Sequence, residues 1–383
     1  MVGRTEGQTQ GGTPAVEPGF LPWSLAMQRA LYGPDGFYRS GEGPAAHFRT
    51  SVHASPLFAT AVVHLLREVD EALGHPDPIT LVDVGAGRGE LLDAVRAQLD
   101  ELPQHHDTLN RSAASSPADL QPGDSLSQRL HLVAVEVAPK PDNLTSGIEW
   151  RNDLPANVTG LLIANEWLDN VPCDVAESTS AGWRLLDVAV DGTERPGPEP
   201  SADQQAWLST WWPIPVISET PEATDPSSAQ PCRAEIGLSR DAAWQQAVAT
   251  LTRGVAIAVD YAHDLALRPP FGTLTGYAHG RQTAPIPDGS CDITAHVALD
   301  SCAAAASHAD WTVLTTQRAV FHSLGMTGGR PDLALASTDP RGYLRALSQA
   351  SAAAELTDPL GLGGFGWLAQ GVGVPIPPSL ARL

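Results

Sequence analysis

The string LVDVGAGRGELL, residues 81–92, constrains the chain more than any other stretch. An apolar run carrying one acid, Asp83, meets Gly85, Gly87 and Gly89 and passes straight into an amphipathic segment. ITLVDVG is apolar enough to be a strand of a parallel sheet, buried on both faces, and GELLDAVRAQLDEL reads as the helix that follows it. The same alternation recurs. LHLVAVEV, TGLLIANEWLDNVP and GVAIAVDYA read as further strands, and LPWSLAMQRALY, ASPLFATAVVHLLREVDEALG and RDAAWQQAVATLTRG as helices. Ser55-Pro56 opens the second of these helices as N-cap and N1, and Gly254 is placed as the C-cap of the third. Strands alternating with helices predict an α/β fold with a parallel sheet. Ligands of such sheets sit at the carboxyl ends of strands, which here carry Asp83, Glu136, Asn165-Glu166 and Asp260-Tyr261.

The expected organisation is a disordered leader over 1–19, a helical segment over 20–73 and a Rossmann-like core over 74–172. An inserted subdomain or lid over 173–235 follows, and the rest of the core occupies 236–383. Residues 104–128 are polar and turn-rich, and read as a surface loop. RPGPEPSADQQ and SETPEATDPSSAQP within the insertion read as Pro-rich loops. Trp207, Trp211 and Trp212 are read either as the insertion's own core or as a docking surface for a partner.

With 383 residues the chain can bury a sizeable core. No apolar stretch approaches the roughly 20 residues that cross a bilayer, and the first 19 residues lack the apolar segment of a secretory signal, so membrane insertion is not expected and a cytoplasmic location is. A formal charge of −21 disfavours a nucleic-acid substrate, because phosphate contacts need a basic surface. It suits a basic partner. The four cysteines, Cys173, Cys232, Cys291 and Cys302, form no CxxC pair, and His105-His106 stand without partner ligands. No metal site is expected.

Which ligand the glycines hold follows from spacing and charge. The dinucleotide fingerprint G-x-G-x-x-G would place glycine at 90, where Glu90 stands. A pyrophosphate wants backbone N–H groups and no competing carboxylate, yet Asp83 and Glu90 flank the turn. S-adenosylmethionine carries a sulfonium and an ammonium group and no phosphate, so an acidic strand end suits it. Glu136, closing the next strand, is placed to accept from both ribose hydroxyls. It lies 47 residues past Gly89, a long spacing that the 104–128 loop explains. An NAD-dependent oxidoreductase is the remaining reading of the turn.

Beyond these arguments, MQRALYGPDGFY, HFRTSVHASPLF, LVDVGAGRGELL, AVEVAP, IANEWLDNVP, VDYAHD, GTLTGYAHG and DITAHV occur in this order over residues 20–300. In this the chain resembles the MidA family of S-adenosylmethionine-dependent methyltransferases, relatives of the mitochondrial complex I assembly protein-arginine methyltransferase. The resemblance implies a class I methyltransferase fold with a helical N-terminal segment and an inserted subdomain. It also implies methyl transfer to arginine of a respiratory-complex subunit. By motif, Gly85, Gly87 and Gly89 would form the cofactor turn, Glu136 would hold the ribose, and Asn165 and Glu166 would lie between cofactor and substrate. His47 before Phe48, and Val52-His53, depart from the family's pattern.

Methyl transfer from a sulfonium is an in-line displacement that the protein serves chiefly by positioning. A free guanidinium is protonated, its pKa above about 12, so the site needs carboxylates that orient it and take its proton. Glu166 is the first candidate and Asp169 the second; three residues apart, they share a side if the segment is helical. Asp260, Tyr261, Asp292, Thr294 and His296 are candidates for the substrate side. Asp292-x-Thr294 is equally readable as a helix cap before AHVAL, and His296 as a packed structural histidine. The expected partner is a protein bearing arginine, with a homodimer left open. The alternative from another class is a cofactor-binding assembly or scaffold protein without turnover.

Overall fold

The computed structural model describes residues 19–39, 51–101, 125–213 and 230–383. The leader up to residue 18, most of the 104–128 loop and His47 lie outside these residues, as does the side chain of His53.

Seven strands build the central sheet: β1 Ile79–Val84, β2 Leu130–Val135, β3 Ile148–Arg151, β4 Val158–Asn165, β5 Leu251–Asp260, β6 Trp311–Thr316 and β7 Gly366–Val372. Their order is β3-β2-β1-β4-β5-β7-β6. All run parallel except β7, which is antiparallel to both its neighbours. The order reverses between β1 and β4, which opens a crevice at their carboxyl ends.

Side chains of the central strands alternate between two buried layers. Leu81, Leu161, Ile257 and Trp367 pack on one face with Phe58, Leu65, Leu91 and Phe321. Val82, Leu162, Ala258 and Leu368 pack on the other with Trp244, Val248 and Leu299. Helix Pro56–Leu73 starts as the sequence predicts, with Pro56 at its first turn and the Ser55 side chain accepting from the Leu57 amide at 3.1 Å.

Two expectations are corrected. Helix Leu238–Ala249 ends at Thr250, and Gly254 is a residue of β5 rather than its cap. Gly254 pairs with Gly160 of β4, at φ 145° and 147° respectively. A Cβ on Gly254 would lie 2.0 Å from the Gly160 carbonyl oxygen, so glycine is there for the close approach of two strands next to an irregularity in their register. Second, SADQQ is not a loop. Ser201 and Gln204 form a reciprocal capping box that opens helix Ala202–Trp211.

Outside the core, Phe20–Pro22 joins Asp174–Thr179, Gly182–Ala189, Glu194–Pro196 and Arg233–Ile236 in a second sheet. Helix Trp23–Tyr32 packs on it through Trp23, Met27 and Leu31 beside Val175, Leu186 and Ile293. Trp207 and Trp212 are buried with Leu208 and Ile236, which makes them core rather than a docking face. The Trp207 indole donates to Asp241 at 2.7 Å and to Ser301 at 2.9 Å, anchoring the insertion to two helices of the central layer. Trp207→Phe removes a donor from a buried carboxylate and is expected to lower stability by about 1–3 kcal/mol. A urea midpoint equal to that of the unsubstituted chain would show the anchor to be idle.

Candidate active site

At the carboxyl end of β1 the chain turns under a glycine at every second position. Gly85, Gly87 and Gly89 have φ of 74°, 59° and 89°. The Gly85 amide donates to the Val135 carbonyl at 2.9 Å, which ties the turn to the end of β2. A Cβ on Gly85 would lie 3.0 Å from the Trp167 ring, so only glycine lets that ring rest on the turn. Glu136 sits beneath the turn: its carboxylate accepts from the Gly87 amide and from the Ala138 amide, each at 3.0 Å. Burial pushes the Glu136 carboxyl up, although these amides oppose the shift. Asp83 is buried, and burial together with Glu90 and Glu136 pushes it up to about 8.

The end of β4 makes the opposing edge. Glu166 takes a left-handed φ of 52°, uncommon for a side chain of its size. Its amide donates to the Val259 carbonyl of β5 at 2.8 Å, and its carboxylate accepts from the Ser51 amide at 3.0 Å and from Asn165 Nδ2 at 3.1 Å. The turn Leu168–Asn170 follows, held from behind. Asp260, 1% exposed, accepts from the Leu168 amide at 2.9 Å and the Asp169 amide at 3.2 Å. Arg240, 2% exposed, donates to the carbonyls of Asp169, Val171 and His296. Burial raises Asp169 to about 6, with Thr294 and Arg240 opposing, and burial with the neighbouring Asp169 and Glu166 holds Asp260 well above the usual carboxylate range.

Between these edges lies a cavity of about 470 Å³, within the usual range for small-molecule sites. Of the residues singled out in the sequence, Gly85, Gly87, Glu136, Glu166, Asp169, Tyr261, Asp292 and Thr294 line it. Asp83, Gly89, Asn165, Asp260 and His296 do not. Gly89 packs toward Leu144 and Trp150, and Asn165 and Asp260 support the turn from inside. His296 stacks on Tyr261 at 5.5 Å between ring centroids. Asp292 and Thr294 belong to a strand, Asp292–Thr294, and cap no helix; helix Leu299–Ala305 starts five residues beyond Thr294.

Among the lining residues that escaped the sequence reading are three tyrosines, Tyr32, Tyr38 and Tyr277. With Tyr261 they place four of the chain's five tyrosines on one cavity. Tyr32 and Tyr38 stack at 5.5 Å. The Tyr38 hydroxyl donates to Asp292 at 3.0 Å and the Tyr32 hydroxyl to the Asn170 carbonyl at 3.2 Å. Both blocks that supply them, ALYGPDGFY and GTLTGYAHG, were visible as motifs, but nothing along the chain shows that residues 32, 38, 261 and 277 meet. Among the described residues no group of three or more His, Cys, Asp or Glu side chains is arranged to hold a metal ion, and no helix is long and apolar enough to cross a membrane.

A family model described as "Putative S-adenosyl-L-methionine-dependent methyltransferase" matches residues 59–317. The chain belongs to this family. The match bears out the resemblance to MidA methyltransferases and the expectation of S-adenosylmethionine, rather than NAD, as the cofactor. The methyltransferase also shares its fold with two crystal structures of a superfamily member from Burkholderia thailandensis. One, bound to S-adenosyl-homocysteine, is 23% identical and superposes with a TM-score of 0.72, covering 95% of this chain and 91% of that one. The other, a high-resolution native structure, is 23% identical with a TM-score of 0.70 and the same coverage. No curated protein matches the chain. The sheet order and these neighbours establish the class I methyltransferase fold.

The residues present fit the cofactor. The glycine turn leaves its backbone open to the cavity, Glu136 offers carboxylate oxygens beside it, and the acidic lining suits a sulfonium and an ammonium group.

Proposed function

We propose that this methyltransferase acts on arginine in a protein, and that, as the MidA resemblance implies, the target is a subunit of a respiratory complex. The observation that carries this reading is the acceptor wall, where Tyr32, Tyr38, Tyr261 and Tyr277 stand among Glu166, Asp169 and Asp292. Aromatic faces and carboxylates together recognise a cation, and the planar guanidinium of arginine offers five N–H donors to such a wall.

In this reading Gly85, Gly87 and Glu136 serve the donor, which supplies a methyl group on a cationic sulfur when bound, and Asn165 acts from behind them by holding Glu166. Glu166 stands between the glycine turn and the acceptor wall. It orients the guanidinium nitrogen and receives the proton that this nitrogen sheds as its new bond forms. Asp169 holds a second N–H edge. Asp260, Tyr261 and His296 shape the wall from behind or beside it. The location is cytoplasmic, and a homodimer fits the reading without being required by it.

The test is transfer of label from S-adenosylmethionine into proteins of a lysate from cells lacking this gene, followed by hydrolysis of each labelled band. Label recovered as methylarginine is the expected result. Label on another amino acid overturns the arginine assignment. No label on mature or nascent proteins, with S-adenosylmethionine binding verified, transfers the reading to a scaffold without turnover.

A further inference from the structure

Asp169 and Asp292 reach the cavity from two segments far apart in the chain, and each is fixed by a donor from the other's segment. Thr294, on the strand with Asp292, donates its hydroxyl to Asp169 Oδ2 at 3.0 Å. Asn170, on the turn with Asp169, donates its amide to Asp292 Oδ1 at 2.9 Å. Tyr38 completes the lock at Asp292 Oδ2. Strand alternation puts Asp292 and Thr294 on one face and sends Ile293 into the core. Both acids are 95% buried or more, and both line the cavity. Asp169 Oδ1 is buried with no hydrogen-bond partner among the described residues, and an unsatisfied buried acceptor of this kind calls for a donor.

We infer that Asp169 and Asp292 form a crossed carboxylate pair that selects a planar guanidinium over an ammonium group, with Asp292 the specificity-determining member. The inference rests on the arginine reading and names the residues that set it. Two carboxylates that cannot swing offer acceptors at fixed positions, which a rigid fork of five N–H groups can span. A lysine ammonium is a compact, strongly hydrated point charge and gains less from the same arrangement.

The electrostatics agree with this geometry. Burial pushes Asp292 up to about 8, with Asp169 and Glu166 adding to the shift. Facing the pair are Tyr32, Tyr38, Tyr261, Tyr277, Glu166 and Asp260, with Arg240 the cation acting on Asp169 and Arg39 a second cation on the cavity lining. At pH 7 Asp292 therefore keeps a proton until a cation arrives, and binding of that cation expels it.

The experiment uses the full chain with S-adenosylhomocysteine and two probes, ethylguanidinium and propylammonium. Binding is followed by NMR of labelled tyrosine rings, and proton release by calorimetry in two buffers of different ionisation heat. Ethylguanidinium is expected to shift the ring signals saturably, about tenfold more tightly than propylammonium, and to release about one proton near pH 7. Asp292→Asn should weaken ethylguanidinium about tenfold or more and abolish most of the proton release, while S-adenosylhomocysteine binds as before. Tyr38→Phe, which keeps the acid and removes its donor, should weaken the probe severalfold and serves if the first variant does not fold. Equal affinity for the two probes, an unaltered affinity in Asp292→Asn (or in Tyr38→Phe, where that variant stands in), or no saturable shift overturns the inference. The arginine reading fails separately: label on another amino acid in the lysate would remove it even if ethylguanidinium still bound selectively.

Discussion

Glu166→Gln is expected to bind S-adenosylmethionine with unchanged affinity and to lose methyl transfer by about 100-fold or more, the usual loss when a positioned proton acceptor is removed. The substitution is chosen for what it preserves. The amide oxygen of glutamine can still accept from the Ser51 amide and from Asn165, two donors that hold the native side chain. The left-handed backbone at 166 is equally open to either residue. A fall in turnover therefore reports the lost negative charge and proton acceptor, not a displaced loop. Single-turnover label transfer at saturating acceptor reads the effect, with calorimetry for the cofactor. Turnover within threefold of the unsubstituted chain would strip Glu166 of its role and move attention to Asp169 and Asp292.

The second large effect is expected at the opposite edge. Glu136→Ala removes the carboxylate that accepts from the Gly87 and Ala138 amides and that, in the proposed reading, accepts from the ribose hydroxyls. Hydrogen bonds to a charged acceptor contribute roughly 1.5–3 kcal/mol each. Losing two of them should raise the dissociation constant for S-adenosylmethionine by about 100-fold or more. Glu136→Gln keeps one acceptor oxygen and should fall between. Calorimetric titration of both variants decides the matter: an alanine variant that binds within threefold would mean that the cofactor does not rely on this side chain.

The glycine-turn edge of the cavity was legible because its parts are contiguous. A strand, a turn and a helix follow one another in LVDVGAGRGELL, and each strand end announces itself by an acid or amide closing an apolar run, as at Glu136 and Asn165-Glu166. The tyrosine-lined wall opposite was not legible, because its parts meet only in space. Tyr38 and Asp292 touch across 254 positions of sequence. Asp292-x-Thr294 matches a helix cap and a strand with two inward polar residues equally well, and only pairing with Thr275–Ala278 decides for the strand. Gly254 misled for a related reason. A glycine after a helical period is a fair capping signal, but its need for an unusual φ arose from the neighbouring strand. The capping box at Ser201, by contrast, was readable from S-x-x-Q alone and was obscured by the prolines before it.

The pairing of Phe20–Pro22 with Asp187–Ala189 divides the methyltransferase along a line that chain order hides. Residues that precede the central sheet are stitched to the insertion that interrupts it, and the Trp23 indole adds a bond to Glu194 at 2.7 Å. In the proposed reading the donor is held around β1 and β2, whereas the acceptor wall draws on both parts, Tyr32 and Tyr38 from the stitched half and Glu166, Asp169 and Tyr261 from the ends of β4 and β5. A molecule seated between them is shared property of both, so its binding energy is also adhesion energy between the halves. On that reading, drift in the stitched half alters which acceptor is taken while the handling of the donor stays fixed.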